Sequence, residues 1–261
     1  MASERVADYL KNPRYEERIV AFCDVLGWRS QITKAGDDPE KIGGLRRQIL
    51  LIGRMVGHVK PRADLRFSSF SDNIVLSGPT DKTSFLMILM MLAEYHVSSV
   101  MLGFLTRGGV TVGEICHDGQ VVFGPALNRA YEIESKEANY PRIVFDRQTF
   151  RHSNERATRL ITQEDCIFLT PFSVENFDLM AQLEPKPDSE FWDSAGLPKF
   201  APEPSTSLAA LESCLERVKS ILRSPLTDKD YERVAWLYDR LAKQLRMPPS
   251  ASYPRVTAER S

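Results

Sequence analysis

The sequence is poor in cysteine and histidine and has almost no excess charge. Its four cysteines, Cys23, Cys116, Cys166 and Cys214, lie far apart and form no CxxC pair. That excludes a disulfide scaffold or a zinc finger and points to a reducing compartment. The four histidines, His58, His96, His117 and His152, do not cluster, which argues against a histidine-rich metal site. With 34 basic and 35 acidic residues the formal net charge is −1. No global field therefore favours nucleic acid or an anionic membrane, although a few arginines suffice for a local triphosphate pocket. Long apolar runs are also missing. The most apolar stretch, FLMILMMLA at 85–93, is too short to span a bilayer and is followed by Glu94 and His96, so it reads as a buried helix. The first eighteen residues, MASERVADYLKNPRYEER, are charged and lack the apolar core of a signal peptide. No internal repeat or low-complexity tract is apparent. The expectation is a cytoplasmic protein with neither a membrane nor a nucleic-acid partner.

What is present is an ordinary globular composition, 43% hydrophobic and 26% charged over 261 residues. That length suits one large domain or a core with an appendage. IVAFCDVLG (19–27) is an apolar run ending in Asp and Gly and reads as a buried strand. Residues 39–59 carry apolar positions at helical spacing. DLRFSSFSDNIVLSG (64–78) reads as two short strands with a turn near SDN. A second long helix follows at 82–102, with Met90 expected in the core, as is Leu76 of the preceding strand. RGGVTVGEI (107–115) is strand-like, and VVFGPALNRAYEIES (121–135) passes from a strand end through Gly-Pro into a helix. PRIVFD (141–146) is a further strand. The order is the βαββαβ ferredoxin-like arrangement, an α+β fold, expected to carry its helices on one face and leave the other open for a partner or ligand.

Beyond about residue 150 the character changes, which suggests a core at 1–150 and an appendage at 151–261 packed on it. ERATRL and CIFLT read as a helical turn and a strand. A proline-rich loop is expected over 182–206, then helices near 206–223 and 228–246, then a disordered tail over 247–261.

Two aspartates are the strongest chemical signal. Asp24 ends the first buried strand, and Asp72 sits at the turn between the second and third. The ferredoxin-like topology makes those positions neighbours. Paired carboxylates repel unless a cation joins them, and Mg²⁺ or Mn²⁺ favours such ligands with phosphates completing the shell. Two such ions can activate an attacking oxygen and neutralise a leaving pyrophosphate. An aspartate at a strand end or turn also commonly bonds only its local backbone.

FCDVLGW resembles the F-x-D-[IV]-x-G-[FW] opening of the class III nucleotidyl cyclases. SFSDNIV stands where that family has its second metal aspartate, RGGVTVGEI resembles its R-x-G-[IV]-x-x-G strand, and FGPALNRA its G-x-x-[VL]-N-x-A helix start. The resemblance covers residues 19–146. It implies a homodimer with sites between subunits, two Mn²⁺ or Mg²⁺ ions per site, and attack of the ribose 3′-oxygen on the α-phosphate. It implies Asp24, Asp72 and the Val25 carbonyl as metal ligands. Phe22, Leu26 and Gly27 would shape the phosphate-facing turn. Asn128 would orient the ribose from the partner subunit, or else serve only as a helix-start residue. Arg107 would hold phosphate or form a surface salt bridge.

The departures from the family pattern are specific. Its transition-state arginine falls at Glu132, so Arg129, Arg107 or the metals must supply that charge. Its adenine-reading lysine falls at Ser68 and the partner aspartate at Val121, which argues against ATP. A hydroxyl at Ser68 suits a pyrimidine edge. GPALNRAYEIE, ANYPRIVFD and WLYDRLAK resemble the pyrimidine cyclases of the Pycsar antiphage systems. That resemblance implies UTP or CTP as substrate, with UTP favoured, and a cUMP or cCMP messenger acting on a separate effector. The alternatives are an adenylate cyclase with an unusual base pocket and a degenerate cyclase-like domain that binds nucleotide without turnover. A palm-type polymerase or diguanylate cyclase would need a GGDEF-like stretch or a basic nucleic-acid surface, and neither is present.

Overall fold

A computed structural model describes residues 14–118, 121–153, 155–183 and 207–252, without the side chains of 52–63 and 181–183. The chain runs β1 (Glu16–Val25), α1 (Trp28–Ala35), α2 (Pro39–Ala63), β2 (Arg66–Phe70), β3 (Asn73–Pro79), α3 (Lys82–Leu102), β4 (Thr106–Asp118), β5 (Val121–Phe123), α4 (Pro125–Lys136) and β6 (Ile143–Phe145). A 3₁₀ turn (Arg147–His152), α5 (Glu155–Arg159), β7 (Ile161–Gln163), β8 (Ile167–Leu169), α6 (Val174–Leu183), α7 (Ser207–Leu222) and α8 (Asp228–Gln244) follow.

The strands lie in the order β2-β3-β1-β4-β6-β8-β7, with β5 paired to the far end of β4. The first four form the antiparallel ferredoxin-like sheet, and β6 joins β4 in parallel. That parallel join requires a crossover, which α4 supplies. β8 and β7 continue the same sheet, so the chain beyond residue 150 extends the core sheet directly.

The capping residues explain where the long helices begin. Asp38 accepts from the Glu40 and Lys41 N–H groups ahead of Pro39, and Asp81 accepts from those of Thr83 and Ser84. By length and composition α3 could cross a membrane, but 67% of its apolar stretch is buried inside the fold. It lies between the sheet and α7, which accounts for its being apolar all round.

Alternation along β1 divides the core. Ile19, Ala21 and Cys23 face the main cluster, together with Leu76, Ile88 and Leu92. Leu211, Leu215, Tyr238 and Leu241 from α7 and α8 enter that cluster too. Val20 faces the other way and packs with Val75, Ile115, Ala126 and Ala130.

This second cluster corrects one expectation. The helices are not all on one face: α4 lies on the face opposite α2 and α3, covering β1 and β4. Glycines on β4 explain how. A Cβ on Gly109 would stand 2.2 Å from the Ala130 carbonyl oxygen and 2.7 Å from Ile133 Cβ. The helix backbone rests directly on the strand, and the glycine-rich motif on β4 serves that contact.

Other expectations shift in detail. Met90 is only half-buried at the edge of the core, whereas Leu76 is fully inside. β1 and β4 run longer than their apolar patterns, and α1, α6 and β7 went unread. The proline-rich loop lies outside the described residues from 184 onward. The tail is not uniformly disordered: residues 250–252 form a 3₁₀ turn, where Ser250 N–H and hydroxyl both bond the Asp239 carboxylate. Residues 253–261 lie outside the described residues.

The contact of α4 with β4 is open to a paired test. Gly109→Ala is expected to destabilise the fold by about 2–3 kcal/mol, because backbone must move. At Gly113 the nearest atom to an added Cβ is Ala126 Cβ at 3.4 Å, so Gly113→Ala should fall within about 1 kcal/mol of wild type. Urea unfolding of the two variants checks the difference.

Candidate active site

The β1–β3 and β1–β4 pairings place Asp24 at one end of the sheet, opposite Arg107 in register. The two-residue turn between β2 and β3 brings Asp72 to the same end. Its first residue, Ser71, has φ of 55°, a left-handed conformation unusual for serine. The Trp28 indole N–H donates to the Ser71 hydroxyl at 3.0 Å and ties the start of α1 to that turn. Gly27, with φ of 73°, lets the chain turn sharply from β1 into α1.

Asp24 and Asp72 meet. Burial, then a hydrogen bond and repulsion from Asp72, then Glu134, push the Asp24 carboxyl up to about 7, and Arg107 opposes the rise. Arg107 Nη2 donates to Asp24 Oδ2 at 3.3 Å. Its Nε stands 2.5 Å from Glu134 Oε1, as a contact of charges, because the N–H is not aimed at that oxygen. Glu134, on α4, is only 2% exposed, and burial raises its pKa against the lowering influence of Arg107. Asp24, Arg107 and Glu134 thus alternate in sign across β1, β4 and α4.

Among the described residues, no group of three or more His, Cys, Asp and Glu side chains could hold a metal by itself. The carboxyl pair still fits a divalent cation whose remaining ligands are phosphate oxygens. The raised proton affinity of Asp24 comes first from burial and then from Asp72, and such an ion would offset both.

A groove of about 740 Å³ runs along the α4 face of the sheet. That volume suits a small-molecule ligand. Phe22 and Val75 line it from the strands, Asn128 and Tyr131 from α4, and Ser68 and Phe70 from β2. Phe22 and Asp24 are two residues apart on β1, so both side chains emerge on this face. Phe22 makes an edge-on contact with Tyr131, at 5.5 Å between centroids. Phe70 is 83% exposed at the rim.

The remaining candidates divide. Phe22 lies in the groove, not in the turn with Gly27. Leu26 packs toward the main core, and its N–H donates to the Leu105 carbonyl at 2.8 Å. Val25 is buried at the close of β1, paired opposite Thr106. Asn128 is exposed to the groove. Arg129, one residue on, points elsewhere: it bonds Asp146 at 3.1 Å and contacts Glu137 at 3.1 Å. Glu132 is exposed and faces Lys136 at 3.7 Å.

Two features went unread in the sequence. Glu134 belongs to a run, EIES, that looks solvent-facing. The other is a buried polar chain beneath the groove. Arg18 Nε donates to Ser77 Oγ at 3.0 Å, Ser77 Oγ lies 2.8 Å from His117 Nδ1, and His117 Nε2 lies 3.0 Å from Ser68 Oγ. Burial, with the nearby guanidinium groups of Arg18 and Arg66, pushes the imidazole down to about 4.

No protein-family model matches the chain, and no curated protein sequence does. Solved structures are similar in part. A bacterial light-regulated adenylyl cyclase matches at 15% identity over 60% of this chain and 90% of that one, with a TM-score of 0.44. The guanylyl cyclase Cya2 matches at 15% over 59% and 91%, with a TM-score of 0.41. A class III adenylyl cyclase-like ATP-binding protein from Pseudomonas aeruginosa matches at 11% over 82% and 47%, with a TM-score of 0.43. At such identities and scores the likeness fixes neither a family nor a substrate.

The raised pKa of Asp24 has a consequence for stability. The native state keeps a proton that the unfolded chain releases near pH 3.8, so the contribution is full below that pH and is lost as pH rises through about 7. In metal-free buffer, Asp24→Asn should therefore be more stable than wild type at pH 8, by on the order of 1–3 kcal/mol. The gap should close at pH 4. Equal urea midpoints at pH 8 would show that neither burial nor Asp72 disfavours the Asp24 carboxylate.

Proposed function

We propose that this chain is a class III-type nucleotidyl cyclase that converts a pyrimidine nucleoside triphosphate, UTP or CTP, into a 3′,5′-cyclic monophosphate and pyrophosphate. The observation that carries the reading is the meeting of Asp24 and Asp72 on the same sheet face as a nucleotide-sized groove. In the reaction the ribose 3′-oxygen bonds to the α-phosphorus, the bond to the β-phosphate oxygen breaks, and the 3′-hydroxyl proton leaves.

Asp24, Asp72 and the Val25 carbonyl would hold two divalent ions, Mn²⁺ or Mg²⁺. Such ions, when bound, lower the proton affinity of an attacking hydroxyl and neutralise the leaving pyrophosphate. Arg107 is the chain's own cation beside the acid pair, and its guanidinium suits a phosphate oxygen. Glu134 limits where that guanidinium can go. Arg129, held by Asp146 and Glu137, is a poor substitute for the missing family arginine. Phe22 and Tyr131 present apolar surface to a flat base, and Asn128 a polar group to the ribose.

A homodimer is part of this reading. Phe70, Val121, Phe123 and Tyr131 are each at least half exposed, and a second copy would cover them. We place the protein in the cytoplasm, where its cyclic nucleotide would act as a messenger in antiphage defence. One observation favours a second reading, a domain that binds nucleotide without turnover: Glu132 stands where a transition-state cation is expected, and Arg129 is occupied.

Incubation of the purified protein with Mn²⁺ and each of ATP, GTP, CTP and UTP, with products resolved by mass, separates these readings. A cyclic monophosphate from UTP or CTP alone is expected. Cyclic AMP alone would point to an adenylate cyclase, and binding without product to the degenerate domain. Asp72→Ala should abolish metal-dependent turnover while leaving unfolding within about 1 kcal/mol of wild type, because the residue sits at a hairpin turn. Full activity in that variant would sink the two-aspartate assignment.

A further inference from the structure

A second cavity, of about 710 Å³, lies between α1, α2, α7 and the turn that follows α3, on the face of the fold away from α4. Four cationic side chains line it: Lys34 from α1, Lys41 and Arg47 from α2, and Arg217 from α7. The whole chain has a formal charge of −1, so this is a local excess against the average. Two carboxylates share the lining. Asp38 is already engaged: it accepts from the Glu40 and Lys41 N–H groups and pairs with the Lys41 ammonium at 3.2 Å. Glu40 sits exposed in the first turn of α2. Arg217 Nη2 donates to the Leu102 carbonyl at 3.1 Å. Lys34, Arg47 and Arg217 have no carboxylate partner among the described residues.

Two further observations point to a ligand. Arg47 is half-buried, and its Nε is shielded from water with no hydrogen-bond partner. A guanidinium left unpaired in that way is costly, and a bound oxyanion supplies acceptors to its fork. Gly44, which also lines the cavity, is the other. Glycine inside a helix weakens it, yet a Cβ on Gly44 would meet nothing within 4 Å. Packing of the chain does not require that glycine; a ligand lying against the helix backbone would. Leu45 and Phe104 add apolar surface to the same cavity. We propose that the cavity is a second ligand site, for a small organic phosphate with a ring in its body. Arg47, Lys34 and Arg217 hold the phosphate, whose oxygens match guanidinium forks. The ring lies over Gly44, against Phe104. The site needs no metal and does not depend on the nucleotide reading of the groove.

Isothermal titration calorimetry with phenyl phosphate, in buffer containing EDTA, tests the site directly. Wild-type protein is expected to bind it with a Kd below about 1 mM. Inorganic phosphate, which lacks the ring, should bind at least about tenfold more weakly. Arg47→Gln should weaken phenyl phosphate about tenfold or more, and Lys34→Gln severalfold. Arg46→Gln removes the same charge from an exposed neighbour outside the cavity and should leave the affinity within about twofold. Asp72→Ala should bind as wild type does. Gly44→Ala should raise the urea midpoint, because the helix gains propensity and nothing clashes, while weakening phenyl phosphate more than inorganic phosphate. A glycine kept for packing would instead lower the midpoint. Lys34→Gln, at an exposed position, keeps the test available if Arg47→Gln does not fold.

No binding of phenyl phosphate, equal losses in Arg46→Gln and Arg47→Gln, an affinity unchanged in Lys34→Gln, or an affinity unchanged in Gly44→Ala would each overturn the proposal. Loss of binding in Asp72→Ala would move the ligand to the acid pair and overturn it too. Binding with the expected pattern, from a protein that forms no cyclic product, would sustain the second site while removing the cyclase reading.

Discussion

The site depends on one contact, the direct seating of the α4 backbone on β4 at Gly109. Any side chain there would lift the helix. With the helix seated, Glu134 sinks beside Arg107, and Tyr131 comes down onto Phe22. The groove's helical wall and the ion pair near the acid residues are thus two results of a single missing Cβ. Gly124 serves the same end at the start of the helix. Its φ of 146° is closed to ordinary residues, and a Cβ there would meet the Glu114 carbonyl oxygen at 2.8 Å.

A line of close charges governs what that seating creates. Asp72, Asp24, Arg107 and Glu134 follow one another from hairpin turn to helix, and several are shielded from water. A buried ion pair is weak support for a fold by itself, because desolvation offsets much of the attraction. Here it holds a cation against an acid pair whose members repel each other. Such an arrangement is poorly explained by stability and better explained by chemistry, since strained electrostatics concentrate where a ligand resolves them.

Much of the fold was legible because it rests on local pattern. The strand order follows from where apolar runs, glycines and turn residues fall, and the meeting of Asp24 with Asp72 follows from topology once that order is known. The helices at 207–222 and 228–244 were expected within a residue or two of where they lie, the second from its apolar face. What escaped was long-range. Arg18, Ser77 and His117 are separated by about forty to sixty positions, and each alone resembles an ordinary strand residue. Glu134 was not singled out because nothing local says that α4 covers β4 on the face away from α2 and α3. Arg129 looked available for the same reason: Asp146, which holds it, comes 17 residues later on the far side of a crossover.

The Trp28–Ser71 hydrogen bond carries a practical meaning of its own. It joins the start of α1, just after β1, to the turn that carries Asp72, and the indole also lies against Phe104. An indole is a fluorophore whose emission responds to nearby charge and to the state of its N–H. The other described tryptophan, Trp236, is stacked on Tyr140 and flanked by Arg142 and Arg240, away from this turn. Trp28 is therefore an optical gauge placed beside the two carboxyls, able to register a cation or a phosphate arriving there without any added label.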